Sequence, residues 1–211
     1  MSHGMHAIQH EAEHKGNFEH GDLNSRADRL NRRVALLIAV LALFLAFSET
    51  LGKSAQTAAL NHQIEASNLW NFFQAKNIRR TMTIIASETA RLGVLGTTDV
   101  AQRAALSNQI SAWTRSAARY QSEPDAAGGK GEGTLELSHR ATEEQEKRDL
   151  ALAKYHHYEV ASAAFQIGIV LASATVITSI VALSLLAGSL GIVGVGLIAI
   201  ALFAPHAVHL L

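Results

Sequence analysis

Residues 160–211 read VASAAFQIGIVLASATVITSIVALSLLAGSLGIVGVGLIAIALFAPHAVHLL, and none of them is Lys, Arg, Asp or Glu. The 18 basic and 18 acidic residues of the chain all lie before this stretch. A helix rises ~1.5 Å per residue, so these 52 residues would reach roughly 78 Å as one rod. The hydrocarbon core of a bilayer is only ~30 Å thick. Two crossings joined by a short turn are the economical solution. GSLG at 188–191 has turn chemistry, which predicts one transmembrane helix over 160–187 and a returning one over 190–211, with Pro205 near its end. The first of these is longer than one straight crossing needs, so tilt or an interfacial overhang is expected.

A further apolar run, VALLIAVLALFLAF, occupies 34–47. At roughly 21 Å it is short for a span and could be a signal-peptide core or a buried helix. Ser48 to Leu51 extend it by about one turn, and a long acidic arm precedes it, unlike a signal n-region. It is therefore read as a retained span, with its basic flank, over 26–52. The fold class that follows is an all-α membrane protein with three transmembrane helices, one N-terminal and a C-terminal pair, and a long extramembrane helical segment between them.

Residues 1–25 carry five histidines and little apolar periodicity, and are read as a disordered His-rich arm. Residues 53–121 are read as long helices, about 53–92 and 99–121, with Gly93 and Gly96 interrupting and the TTD at 97–99 offering an N-cap. The second helix has a heptad-like, coiled-coil stripe at Leu106, Ile110, Trp113, Ala117 and Tyr120. The first has a weaker, partly polar one at Leu60, Ile64, Ser67, Asn71, Gln74, Ile78, Met82, Ile85 and Leu92. Proline and four glycines make 122–134 a flexible linker. The charged helix at 135–159 has no breaker before the next span, and Glu143–Lys147 and Glu144–Arg148 are spaced as ion pairs.

Net charge is zero, which removes the simplest argument for a nucleic-acid partner. The chain has no cysteine, so disulfides, thiolate metal sites and cysteine nucleophiles are excluded. No nucleophile elbow, Walker loop, HExxH motif or dinucleotide fingerprint is present, and GGKGEG at 128–133 lacks P-loop spacing. No catalytic residue, cofactor or small-molecule substrate is therefore expected, and the chain is read as non-enzymatic. Arg26, Arg29, Arg32 and Arg33 directly before the first span favour a cytoplasmic N-terminus.

The residues singled out are those that let helices approach closely. Ala35, Ala39, Ala42, Ala46, Glu49 and Lys53 follow at heptad spacing on the first span. A small-residue seam of this kind draws membrane helices together where water gives no driving force. Glu49 at membrane depth needs a partner or water; an interfacial pair with Lys53 is the plain reading, and an ion site inside an oligomer the sharper one. Ala164, Gly168 and Ala172, and Gly191 and Gly194, form further packing faces. His6, His10 and His14 share a face if helical and are weak metal candidates. His156, His157, Tyr155 and Tyr158 are expected to snorkel to the interface. Trp70, Phe72 and Phe73 are read as packing between the middle helices. The expected partners are the lipid bilayer and further copies of the chain in a homo-oligomer.

Three stretches carry a family resemblance: RVALLIAVLALFLAFSETLGKSAQTAAL at 33–60, EASNLWNFFQAKNIRRT at 65–81, and RDLALAKYHHYEVASAAFQIGIVLASATVIT at 148–178. Together they resemble the domain-of-unknown-function family DUF4337, from about residue 30 to the end. The resemblance implies a bacterial envelope protein of this layout with no assigned activity. A self-associating scaffold or docking element of the inner membrane is the leading expectation. A multimeric ion channel or metal-handling protein using Glu49 and the histidines is the alternative.

Overall fold

The computed structural model of the chain describes residues 3–124 and 131–205, with side chains described from Arg29 onward. Four helices follow one another: α1 (His3–Gly96), α2 (Val100–Gln121), α3 (Thr134–Thr178) and α4 (Val181–Phe203). Among the described residues there is no strand. Helices α1, α3 and α4 are each long and apolar enough to cross a membrane. The chain divides into two compact units, residues 1–55 with 153–211 and residues 56–152.

Three expectations are corrected here. The polar arm belongs to α1 from His3 onward instead of standing apart as a disordered segment. It contains no proline, and its Ala, Glu, Gln and His residues are compatible with a helix. The last turn also lies elsewhere: the break falls at Ser179 and Ile180, not at 188–191. Ser179 adopts a left-handed φ of 57°, and its N–H donates to the Thr175 carbonyl at 2.8 Å, closing the end of α3. The returning helix is thus the 23-residue α4, roughly 34 Å long and well matched to one crossing. Third, α3 carries the charged helix and the second span as one element, but that span stops at Thr178, not 187.

In the first unit, α1 packs through Val34, Leu41, Ser48 and Ala55, all buried and seven residues apart. Val34 meets Ala172 and Ala187; Leu41 meets Ala161 and Phe165; Ala55 meets Tyr158 and Ala201. Partners on α3 fall in number as those on α1 rise, so the two are antiparallel, whereas α4 runs parallel to α1. Phe44 and Phe165 stack at 5.9 Å with their planes 18° apart.

In the second unit, α1 buries Ala59, Ala66 and Leu69. Leu69 joins Leu137 and Ala141, with Trp70 and Phe73 against them in an edge contact of 5.3 Å. Phe72, by contrast, is exposed. The stripe read at Leu60, Ile64, Ile78, Met82, Ile85 and Leu92 is exposed as well, so α1 packs through a neighbouring face. On α2 the read stripe does turn inward, with Ala117 buried and Leu106, Ile110, Trp113 and Tyr120 half-buried. Asp99 caps α2, accepting from the N–H groups of Ala101 and Gln102 at 2.8 and 3.4 Å.

Candidate functional site

The small residues of α3 and α4 are used within the chain. Ala164, Gly168, Ala172, Gly191 and Gly194 are all buried. A Cβ on Gly194 would lie 2.6 Å from the Phe165 ring, and one on Gly191 2.7 Å from Leu41 Cδ2. One on Gly168 would stand 3.3 Å from both the Ala187 carbonyl and Leu41. These glycines remove bulk so that backbones and large rings can meet. Gly188 and Gly196 are different, with nothing within 4 Å of an added Cβ.

The alanine seam of α1 faces the other way. Ala35, Ala39, Ala42, Ala46, Glu49 and Lys53 are all exposed, while the packing face at Val34, Leu41 and Ser48 is buried. At about 100° per residue the seam lies roughly a third of a turn around the helix from that face. Glu49 Oε1 accepts a hydrogen bond from Gln166 Nε2 at 3.4 Å, linking α1 to α3. Gln166 thus bonds to a neighbouring helix.

His157 and Tyr158 do not snorkel. They are 1% and 4% exposed. His157 Nε2 lies 3.1 Å from the Pro205 carbonyl, which can only accept, so the ring donates there. Its Nδ1 is buried without a hydrogen-bond partner. Ser48 Oγ donates to the Tyr158 carbonyl at 2.8 Å, tying α1 to the same turn of α3. His156 is more open and stands 3.8 Å from Glu159.

Polar contacts dominate the second unit. His62 Nδ1 and Glu144 Oε2 are 2.6 Å apart, and Lys147 reaches the other Glu144 oxygen at 2.6 Å. The Lys147 hydrogen bond, then that of His62, holds the Glu144 carboxyl below its ordinary value. The spaced pairs read from sequence are rearranged: Lys147 takes Glu144 in place of Glu143, and Arg148 takes Asp149 at 2.6 Å and Gln63 at 2.8 Å. Lys76 lies 3.5 Å from Glu123 and 3.3 Å from Glu132. A cavity of about 280 Å³ beside it is lined by Glu65, Asn68, Phe72 and Arg140 among others.

The ends of the linker read as flexible are tied together, which sequence reasoning missed. Glu136 Oε1 accepts from Ser122 Oγ at 2.6 Å and Oε2 from the Glu123 N–H at 3.3 Å. The Ser122 bond, with backbone N–H groups behind it, lowers the Glu136 carboxyl. A Cβ on Gly133 would collide with Glu136 and with the Glu123 nitrogen. Glycine three residues before a glutamate was the available signal, a variant of the capping box.

Among the described residues no group of three or more His, Asp or Glu is placed to hold a metal. His6, His10 and His14 lie outside the described side chains.

The family model described as "Domain of unknown function (DUF4337)" matches residues 30–204. The chain belongs to DUF4337. Comparison with curated proteins and with solved structures gives no match. In this DUF4337 chain the match takes in α1 from residue 30, all of α2 and α3, and α4 to its end, so every contact described above falls within it except the His157–Pro205 bond.

Proposed function

We propose that this DUF4337 protein is a non-enzymatic, multi-pass protein of the bacterial inner membrane, N-terminus cytoplasmic, that self-associates and serves as a scaffold or docking element. One observation carries the reading: the chain buries Ala164, Gly168, Ala172, Gly191 and Gly194 within itself but leaves the Ala35–Ala46 seam of α1 uncovered. In lipid, small residues at heptad spacing are where backbones approach. Copies inserted in one direction can only pair α1 with α1 in parallel, so like residues meet like. In the second unit, α1 also exposes Leu60, Ile64, Ile78, Met82 and Ile85, apolar area that water disfavours.

The chain has no cysteine, so a single Ala42→Cys is a clean reporter. Oxidation in native membranes should yield a dimer linked residue 42 to residue 42. Ala39→Leu and Ala42→Leu should reduce the mass of the complex in mild detergent while leaving insertion intact. A monomeric wild type would overturn the reading.

A multimeric ion conduit is the second reading, favoured by the exposed Glu49–Gln166 contact at membrane depth. It predicts ion flux in liposomes that Glu49→Gln abolishes; an impermeable oligomer supports the scaffold.

A further inference from the structure

The flank of α1 opposite the alanine seam borders a groove of about 300 Å³ between α1 and α4. Val40 and Phe44 form one wall, Gly188 and Ile192 the other, and Phe165 and Gly191 lie between. All of it is apolar, and it opens within the segment that crosses the membrane. At Gly188 there is open space, since an added Cβ would meet nothing within 4 Å.

The end of the groove has a charge in line with it. Arg33, Leu37, Val40 and Phe44 are spaced four, three and four, so the guanidinium stands one turn beyond the groove on the same face. Arg33 is exposed and has no ion pair among the described residues. Its depth is unusual for a cation. Val34 packs with Ala187, so Arg33 lies level with a point about six residues inside α4, beside uncharged chain. The neighbouring surface is greasy, with Ile180, Val181, Leu185 and Leu186 all exposed. A cation at that level reaches for an anionic group at the membrane surface.

We propose that this groove seats one acyl chain of an anionic phospholipid whose phosphate is held by Arg33. The proposal does not depend on self-association. Setting Val34 at zero and turning ~100° per residue, Arg33, Val40 and Phe44 lie near 240–280° and the alanines near 80–140°. The occupant is a lipid and not a second copy because charge and groove together match a headgroup with its tail, and lipid is what surrounds this face.

The test uses the full chain in mild detergent, titrated with phosphatidylglycerol or phosphatidylcholine and read by native mass spectrometry. Wild type should retain phosphatidylglycerol about fivefold more tightly than phosphatidylcholine, the preference one arginine near a headgroup supplies. Arg33→Gln should abolish that preference. Gly188→Leu fills open space and raises helix propensity, so it should fold while weakening both lipids. Ile192→Trp, at a residue 76% exposed, fills the groove from the same helix and serves as the second variant. Circular dichroism checks that helix content is kept. Equal retention of the two lipids by wild type, or phosphatidylglycerol binding untouched by both filling variants, overturns the proposal. A changed complex mass with unchanged lipid retention overturns it too, assigning the groove to a second copy.

Discussion

The two units solve one packing problem with different materials. The first closes α1, α3 and α4 with glycine, alanine and stacked rings, down to Gly194 against Phe165. The second uses charge as well as apolar contact: His62 with Glu144 and Arg148 with Gln63 join α1 to α3, and Lys76 with Glu123 and Glu132 joins α1 to the ends of the linker. Solvent explains the difference. Lipid tails are as apolar as leucine, so close fit has to hold the spans, and unpaired charge is expensive there. In water, burial itself drives association and charged rims are tolerated.

The largest effect should come from the ring at the centre of the first unit. Phe165→Ala removes the fully buried partner of Leu41, Phe44 and Gly194, and should destabilise that unit by about 3 kcal/mol. Hydrogen exchange, which reads the units separately, should show the loss in residues 153–178 of α3 and in α4 with residues 56–152 protected as before; loss shared by both units would break the contrast. Gly194→Val comes next, about 1–3 kcal/mol from overpacking against the same ring. An unchanged melting temperature would mean that the ring can move aside.

In the second unit, Glu144→Gln should cost about 1–2 kcal/mol at pH 7, since the pair is partly buried and charge-assisted. The sign of its pH dependence follows from the lowered Glu144 carboxyl. The stabilisation is complete above the ordinary value of 4.5 and is lost as pH falls through the lowered folded value. Denaturation curves of wild type and variant should therefore converge on acidification. Glu136→Ala should cost about 1 kcal/mol by freeing both ends of the linker, with residues 131–137 losing exchange protection first. Smallest of all, raising salt from 0.1 to 1 M should weaken the second unit by a few tenths of a kcal/mol and leave the first unmoved.

The sequence showed the number of spans because uncharged length is a one-dimensional property. It showed the inward stripe of α2 and the Asp99 cap because both are local. The turn at Ser179 was hidden by a more conspicuous decoy. GSLG has glycines that suit a turn, but glycine also suits a helix pressed against its neighbour, and only the position of Leu41 against Gly191 tells the two apart. The α1 faces were hidden for a related reason. Val34, Leu41, Ser48 and Ala55 repeat every seven residues just as the alanines do, and a run apolar all round does not say which stripe its own chain will take. His157 was misread because proximity to a membrane end does not reveal a carbonyl 48 residues away.

The corner between α3 and α4 bears on how the protein is made. It consists of Ser179 and Ile180, flanked on both sides by uncharged chain. The single exceptional backbone angle is one serine can supply. Under the proposed orientation this uncharged corner stays on the side of synthesis, and the load a translocation machine has to move is the charged stretch between the first and second spans.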